Sequence, residues 1–534
     1  MPRSIGCYLV ELLAANGIDT VFGIPGVHNL ELYRGLAACK MRHVLVRHEQ
    51  GAGFAADGYA RLSGRVAAAF TISGPGLTNI LTAAGQAYTD SVPFLVVAST
   101  PVRASLGKQW GVLHELHDQL ALASGVFGVA RTAGSAEDVR DNLRVCLDSL
   151  RGGRTRPAYL EIPLDVLGEQ TSLPARRFAD PAPDPEPHER HMSAALRVLE
   201  KAARPVVIAG GGARAAAVEV RQLVETLGCA LVTTAAGKGI LADAHPANLG
   251  TSLPFPATQT LISEADAVVA IGTELSETDL FNGLKLPITA PMIRIDIDRS
   301  KLADHYDAEV AICGDASIAV QILVDRLTAP GARSRPSRVD AGRHRALIDA
   351  TFDAGARAQI RVLQAIRAAL PADGAVFSDM TQIAYLGNYA FAAEAPGQWF
   401  HPSGYGTLGF ALPAAIGAKV SSPERAVLAL AGDFGLQFTI NELATAVEEK
   451  LTLPVVVWNN AALGQIRDDM QAAHIPLTGV IGLNPDFTAV AAAYGAAAAR
   501  VSELGALAAA LRSALAASGP TLIEVVAADF IRGS

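Results

Sequence analysis

Short apolar, β-branched runs alternate with amphipathic helical patterns along nearly the whole chain. In the first third, residues 67–72, 94–98 and 158–162 have the length and composition of strands, with helices expected over 51–63 and 77–89. The middle third repeats the pattern at 205–209, 230–233, 267–271 and 292–297, and the last third at 375–378, 426–431, 454–458 and 521–526. Runs that are apolar at every position, rather than at alternate ones, belong to strands covered on both faces. Alternated with helices, they predict parallel sheets and an α/β fold of doubly wound domains. Such sheets bind their ligands at the carboxyl ends of the strands, so chemistry is sought there.

Two stretches interrupt the alternation. Residues 169–188 lose their periodicity and carry Pro174, Pro181, Pro183, Pro185 and Pro187, and residues 329–338 carry Pro330, Gly331 and Pro336. They divide the chain into expected domains at 1–168, 191–328 and 346–534, with linkers at 169–190 and 329–345. A length of 534 residues permits three or four domains at about 150 residues each; the two breaks select three. Composition narrows the class further. Half of the residues are hydrophobic and 18% are charged, which suits a globular chain and excludes a disordered one. The net charge of −8 and the absence of a basic run argue against a nucleic-acid partner. No apolar stretch approaches the roughly 20 residues that span a bilayer. Met1-Pro2-Arg3-Ser4 leads directly into an amphipathic pattern rather than an apolar signal core, so a cytoplasmic location is expected. Five scattered cysteines without CxxC spacing form neither a disulfide framework nor a zinc site and are expected as buried thiols.

The sharpest chemical signal lies in the last third. The 426–431 strand runs into Gly432-Asp433-Phe434-Gly435, a helix is expected over about 439–449, and the next strand ends in Asn459-Asn460. In a parallel βαβ unit both strand ends lie on the same sheet edge, so Asp433 and Asn460 meet there. One carboxylate and one amide oxygen, with a loop carbonyl, make a partial octahedral oxygen site for Mg²⁺ that diphosphate oxygens complete. In the first third, Arg47-His48-Glu49-Gln50-Gly51-Ala52-Gly53 follows an apolar run and opens a helix, which puts Glu49 at a strand end.

These two runs resemble the signatures of the thiamine-diphosphate-dependent 2-oxoacid decarboxylase and acetolactate synthase superfamily. Phe434 departs from the second glycine of the family's GDG pattern. The resemblance extends over Gly23-Ile24-Pro25-Gly26, Ser73-Gly74-Pro75-Gly76, Asp90-Ser91-Val92-Pro93, Ile295-Asp296-Ile297-Asp298 and Ser403-Gly404-Tyr405-Gly406-Thr407-Leu408-Gly409-Phe410. It implies pyrimidine-binding, middle and diphosphate-binding domains, in that order. It implies thiamine diphosphate with Mg²⁺ on Asp433, Asn460 and the carbonyl of Ala462, and Glu49 on the aminopyrimidine, where proton exchange activates the cofactor. By the same resemblance the cofactor is bordered by Pro25, Gly26, Ser73, the Thr381-Gln382-Ile383 run, Gly406, Leu408, Gly432, Phe434, Gly435, Leu463 and Gly464. Leu408 is the apolar wedge between the two cofactor rings. Active sites between subunits are implied, hence a homodimer or homotetramer.

Three local patterns, at 23–33, 113–119 and 272–279, are most similar to the 5-guanidino-2-oxopentanoate (2-ketoarginine) decarboxylase group. A guanidinium substrate calls for carboxylates in a partly dry pocket. Glu115 and Asp118 either serve there or are solvated loop acids. Val27, His28 and His114 are further substrate candidates; by the resemblance His28 and His114 fall in segments that flank the cofactor, and the two either relay protons or orient the substrate carboxylate or are structural. The alternative within the superfamily is an acetolactate synthase that joins pyruvate to a second 2-oxoacid. Outside it stands a nucleotide-dependent oxidoreductase without thiamine chemistry. Gly210-Gly211-Gly212 after a strand lacks the acidic partner of a dinucleotide site, so FAD is not expected.

Overall fold

The computed structural model describes residues 2–280, 283, 285–329 and 340–532. Three parallel sheets form, each covered by helices on both faces. The first has the strand order Arg42–Leu45, Thr20–Gly23, Ala68–Thr71, Leu95–Thr100, Ala158–Pro163, Val129–Thr132. The third has Trp399–Phe400, Ala375–Ser378, Val427–Gly432, Leu453–Asn459, Pro520–Val526, Ala497–Val501. Numbered within each domain, both read 2-1-3-4-6-5. The middle sheet has five strands, Ala230–Thr233, Pro205–Ala209, Ala267–Ile271, Met292–Asp296 and Val310–Cys313, in the order 2-1-3-4-5. In all three the order reverses between the first and third strands, which opens a crevice at that point of the carboxyl edge.

Central strands are buried on both faces, as the all-apolar runs require: every residue of Ala68–Thr71, Leu95–Thr100 and Val427–Gly432 is buried. Val129–Thr132 and Ala497–Val501 escape that criterion because edge strands carry polar and exposed residues. The first and third domains share one core. Helix Glu49–Ser63 crosses helix Ala411–Ser421, and Phe54 packs edge-on against Phe410 at 5.4 Å between ring centroids. The crossing is as close as backbones allow: a Cβ on Gly58 would overlap the Ala414 carbonyl, and one on Gly417 would overlap that of Ala55. Buried Lys238 of the middle domain donates to the Asn388 carbonyl at 2.9 Å and to that of Tyr389 at 3.2 Å, tying the middle domain to the third.

Several boundaries differ from expectation. The helix after Asp433 starts at once, as Asp433–Thr439, and a second follows as Glu442–Glu448. Gly432 is extended and Asp433 supplies the first-turn acid that favours a helix start there. Within 169–190, Gln170–Thr171 pairs antiparallel with Arg3–Ser4, and helix Glu189–Lys201 begins under a His188 cap. Within 329–345, residues 330–339 lie outside the described residues, and helix Ala341–Asp349 already begins at 341, where the Asp340 carboxylate caps the Arg343 N–H. No disulfide joins any of the five cysteines; Cys7, Cys146 and Cys229 are buried, whereas Cys39 and Cys313 are half-buried because they lie at a helix end and on an edge strand. No helix among the described residues is long and apolar enough to cross a membrane.

Candidate active site

The carboxyl edge of the third sheet gathers one set of groups. Gly432 pairs in register with Trp458, so Asp433 emerges beside Asn459 and Asn460. Asp433 is 2% exposed. Its carboxylate accepts from Asn484 Nδ2 at 2.6 Å, and the same amide donates to Asn459 Oδ1 at 2.9 Å. Burial pushes the Asp433 carboxyl above its ordinary range, opposed by Asn484 and by the N–H groups of Phe434 and Ala461. Ala461 turns the chain in the left-handed region, at φ 54°. Past that turn Asn460 Oδ1 accepts from the Ala462 N–H at 3.2 Å and Asn460 Nδ2 donates to Gln382 Oε1, also at 3.2 Å. Leu463 is fixed by its N–H on the Val480 carbonyl, at 2.9 Å. Gly464 leaves a cradle that a Cβ would fill, since it would overlap Gln382 Oε1.

The neighbouring strand end brings Asp379, 1% exposed, whose carboxylate accepts from Met380 N at 2.8 Å and from Gly409 N at 2.9 and 3.1 Å. Burial raises its pKa to about 6. Asp379 thereby fixes the loop that carries Gly406 and half-buried Leu408, while Gly435 packs against its carboxylate. The Phe434 ring points the other way, over Gly482. The departure from the glycine pattern is thus absorbed by the 479–484 loop. Thr381 packs against Gly432, and Gln382 opens the helix Gln382–Ala390 with Ile383 buried beneath it.

Whether these residues suit a metal follows from their donors. Among the described residues no group of three or more His, Cys, Asp or Glu side chains is placed to hold a metal ion by itself. At Asp433 the available donors are one carboxylate, the Asn460 amide and the Ala462 carbonyl, all oxygen. That set fits a hard cation whose shell is completed by phosphate and water, and it does not fit a soft metal.

The carboxyl edge of the first sheet gathers the second set. Glu49 begins helix Glu49–Ser63, and His48 caps it through Nδ1 on the Gln50 N–H. Glu49 Oε2 accepts from Asn79 Nδ2 at 2.9 Å, and its other oxygen faces Gly76. His28 Nδ1 and Ser73 Oγ lie 2.5 Å apart. The rings of His28 and His114 meet edge-on at 4.8 Å. Burial, helped by His114, lowers the basicity of His28 and keeps its imidazole neutral at pH 7. His114 is held at φ 63°, its carbonyl against Gly74. Among the described residues, buried His114 Nδ1 and Glu115 Oε1 have no hydrogen-bond partner, whereas Glu115 Oε2 accepts from Gly111 N at 2.8 Å. Asp118 is occupied locally: it caps helix Gln119–Ser124 through the Ala121 N–H at 2.9 Å. Gly26 is pinned by its N–H on Asn29 Oδ1 and Pro25 is exposed, as is Val27, at 63%.

Ser73, His28 and His114 therefore come together, with Glu115 next to His114 in the chain, and so do Asp433, Asn460, Ala462 and Gln382. No hydrogen bond or ion pair among the described residues joins one set to the other within the chain. Each set is rimmed by exposed apolar side chains: Val27, Leu30, Trp110 and Leu113 beside the first, Phe438, Ile466, Ile481 and Leu483 beside the third. A cavity of about 490 Å³ between the middle and third domains reaches Gln382 and is lined also by Asp279, Phe255, Tyr385, Gln465 and Asp468. In the middle domain Gly210 and Gly212 close-pack on Gly272 and Thr273.

Sequence reasoning passed over Asn79, Asn484 and Asp379. Asp379 carried the same signal as Asp433, an acid directly after a buried strand, and was findable. Asn484 lies in an irregular loop with no local pattern to mark it.

The chain resembles known proteins along its length. Residues 3–122 match the N-terminal thiamine pyrophosphate binding domain of thiamine pyrophosphate enzymes, 192–323 their central domain, and 379–525 their C-terminal thiamine pyrophosphate binding domain. A probable 2-ketoarginine decarboxylase, AruI, of Pseudomonas aeruginosa is 47% identical over 97% of this chain and 93% of its own length. An acetolactate synthase large subunit of Parasynechococcus marenigrum is 30% identical over 97% of this chain and 86% of its own. Acetolactate synthase isozyme 1 large subunit of Escherichia coli is 31% identical over 86% and 82%.

Proposed function

The chain belongs to the thiamine pyrophosphate enzyme family, and from that premise we propose that it decarboxylates a cationic 2-oxoacid, 5-guanidino-2-oxopentanoate, to 4-guanidinobutanal and CO₂. The observation that carries the reading is the pair of half-sites. A buried carboxylate with amide and carbonyl oxygens stands at one switch point, and a glutamate held by Asn79, on the sheet edge that also carries two histidines meeting edge-on, stands at the same place in a second, like-ordered sheet. No hydrogen bond or ion pair among the described residues joins the two halves within one chain, and exposed apolar side chains lie on the loops of both. We therefore read the enzyme as a cytoplasmic homodimer or homotetramer in which Glu49 of one subunit faces the Asp433 half-site of another.

When bound, thiamine diphosphate supplies the carbanion nucleophile and the electron sink that loss of CO₂ requires. The chain's residues do the rest. Asp433, Asn460 and the Ala462 carbonyl would hold Mg²⁺, and the first turn of Asp433–Thr439 would offer its N–H groups to the diphosphate. Glu49, steadied by Asn79 on Oε2, would hold or release a proton at Oε1 toward the aminopyrimidine. Leu408 would stand between the two cofactor rings. Neutral His28, tied to Ser73, accepts or returns a proton near the substrate carboxylate, with His114 as its neighbour. The unpaired Glu115 Oε1 receives the guanidinium.

The experiment is a substrate panel. The protein is loaded with Mg²⁺ and thiamine diphosphate and offered 5-guanidino-2-oxopentanoate, pyruvate and benzoylformate, with CO₂, aldehyde and acyloin products identified. Turnover of the guanidino acid to its aldehyde supports the reading. A pyruvate-only enzyme that releases acetolactate replaces it with the synthase activity, and flavin absorbance in the purified protein overturns the absence of FAD.

A further inference from the structure

We infer that Glu442, on the third domain, is the positioning residue for Glu49, and that it acts through the main chain of Arg47 and His48; the inference rests on the reading of Glu49 as the acid that faces the cofactor. Glu442 opens helix Glu442–Glu448 and is 1% exposed. It plays no part in the half-site on its own domain. Its Oε1 accepts from the Arg47 N–H at 3.0 Å, the His48 N–H is also turned on the carboxylate, and Thr445 Oγ1 donates to Oε2 at 2.7 Å. Thr445 Oγ1 also reaches the Leu45 carbonyl at 3.1 Å, the last residue of the strand that delivers the turn.

The fit is made from both sides. A Cβ on Gly51 would overlap Glu442 Oε1, so the glycine two residues past Glu49 is what lets the carboxylate lie against the start of the helix. The helix already has a cap of its own, His48 on the Gln50 N–H. A second acceptor brought in from another domain is therefore not needed to begin the helix. What it adds is a fixed path for the two residues before Glu49, whose N–H groups would otherwise be unpaired.

The choice of a charged group makes sense on the same geometry. A carboxylate buried this deeply is costly unless it is hydrogen-bonded, and burial lifts Glu442 to about 7 against the pull of its donors and of Arg47. The other polar side chains beside it are already engaged: the Arg47 guanidinium pairs with Glu448, and His48 Nδ1 caps the helix. Main-chain N–H groups at a helix start are what remain for Glu442 to stabilise. Because Glu442 lies just beyond Asp433–Thr439, it links the third domain's metal-side helix to the first domain's acid in the same chain.

Amide exchange on the cofactor-free protein tests the brace without reference to catalysis. In Glu442→Ala the amides of residues 45–50 should exchange at least about tenfold faster. Glu442→Gln, which keeps an acceptor oxygen, should stay within about threefold of wild type and serves as the readable variant if the alanine protein does not fold. Loaded with Mg²⁺ and thiamine diphosphate, Glu442→Ala should lose at least about tenfold in the rate of C2-proton exchange of the cofactor while its affinity for the cofactor changes less than about threefold. Unchanged amide exchange in Glu442→Ala, equal loosening in Glu442→Gln, or unaltered C2 exchange would overturn the assignment. Failure of the wild-type protein to bind thiamine diphosphate would instead count against the proposed function, and the amide data would still judge the brace.

Discussion

The first and third domains repeat one strand order, 2-1-3-4-6-5, and place their candidate groups after the same four strands. After strand one come Gly26 and His28 in the first domain, Asp379 and Gln382 in the third. After strand two come Glu49 and the Gly406–Leu408 loop; after strand three, Ser73 and Asp433; after strand four, the His114 loop and Asn460. The scaffold dictates where a ligand sits. The residue types decide what is held there: oxygen donors and helix N–H groups for phosphate and metal in one copy, an acid and a pair of imidazoles for proton traffic in the other. The middle domain is the contrast. Its sheet follows nearly the same order, yet Gly210 and Gly212 are spent on packing against Gly272 and Thr273.

The comparison breaks most sharply at Asp433. Asp433→Ala removes the only carboxylate of the oxygen set, and turnover should fall by about a thousandfold or more, with Mg²⁺ and cofactor affinity falling together. Calorimetric titration of the cofactor with and without Mg²⁺ checks this. Retained affinity would mean that the third sheet is not the diphosphate side.

Glu49→Gln is the counterpart on the first sheet and should separate binding from chemistry. Turnover should drop by about 10²–10⁴ while the cofactor stays bound, because the amide keeps the Asn79 contact and loses the exchangeable proton. Steady-state kinetics beside a cofactor-binding titration distinguish the two effects. Equal losses in Glu49→Gln and Asp433→Ala binding would erase the division of labour between the domains.

Much of this division was legible in the chain, for a physical reason. Strands buried on both faces must be apolar throughout, so the central strands of each sheet stood out, and polar residues directly after them, Asp433 and Asn460, stood out by contrast; Glu49 follows an edge strand and was marked by its Arg47–Gly53 run instead. What was not legible depends on contacts between distant segments. Asn484 reaches Asp433 from an irregular loop, Asn79 reaches Glu49 from a helix face, and Glu442 reaches Arg47 across a domain boundary. Asp118, expected either among the substrate residues or as a solvated loop acid, also caps a helix through the Ala121 N–H, a contact that no pattern in the sequence marks. The start of the helix at Asp433 was misplaced because the apolar period is carried by Leu436 and Leu443 across a break that the pattern alone does not mark.

The two domains also depend on each other's surface. Gly417→Ala places a methyl group on the Ala55 carbonyl, where neither backbone has room, and should lower stability by about 3 kcal/mol or more. A substitution of the same size at Gly519, where a Cβ meets nothing, should change it by less than about 0.5 kcal/mol. Denaturant melts of both variants compare a shared core with an open surface. Similar midpoints would show that the crossing helices yield more than their spacing suggests.

The smallest expected effect is the one that sharpens the first domain's role. Glu115 follows His114 in the chain, and it has one oxygen on the Gly111 N–H and the other buried without a partner among the described residues. If that free oxygen meets a guanidinium, Glu115→Gln should reduce kcat/KM for 5-guanidino-2-oxopentanoate by about ten- to a hundredfold, the scale of one charge-assisted hydrogen bond. The loss should fall mainly on KM, since the contact is made equally in the ground and transition states. For an uncharged 2-oxoacid of similar length the variant should be unchanged or slightly better, because an unpaired buried carboxylate no longer has to be desolvated. The ratio of the two kcat/KM values is the measurement, and it is insensitive to general damage, which would lower both. A parallel fall for both substrates would move the guanidinium away from the first sheet. The acid-lined cavity at Gln382, with Asp279 and Asp468, would then be the place to look, and substrate selection would pass from the proton-handling domain to the metal-holding one.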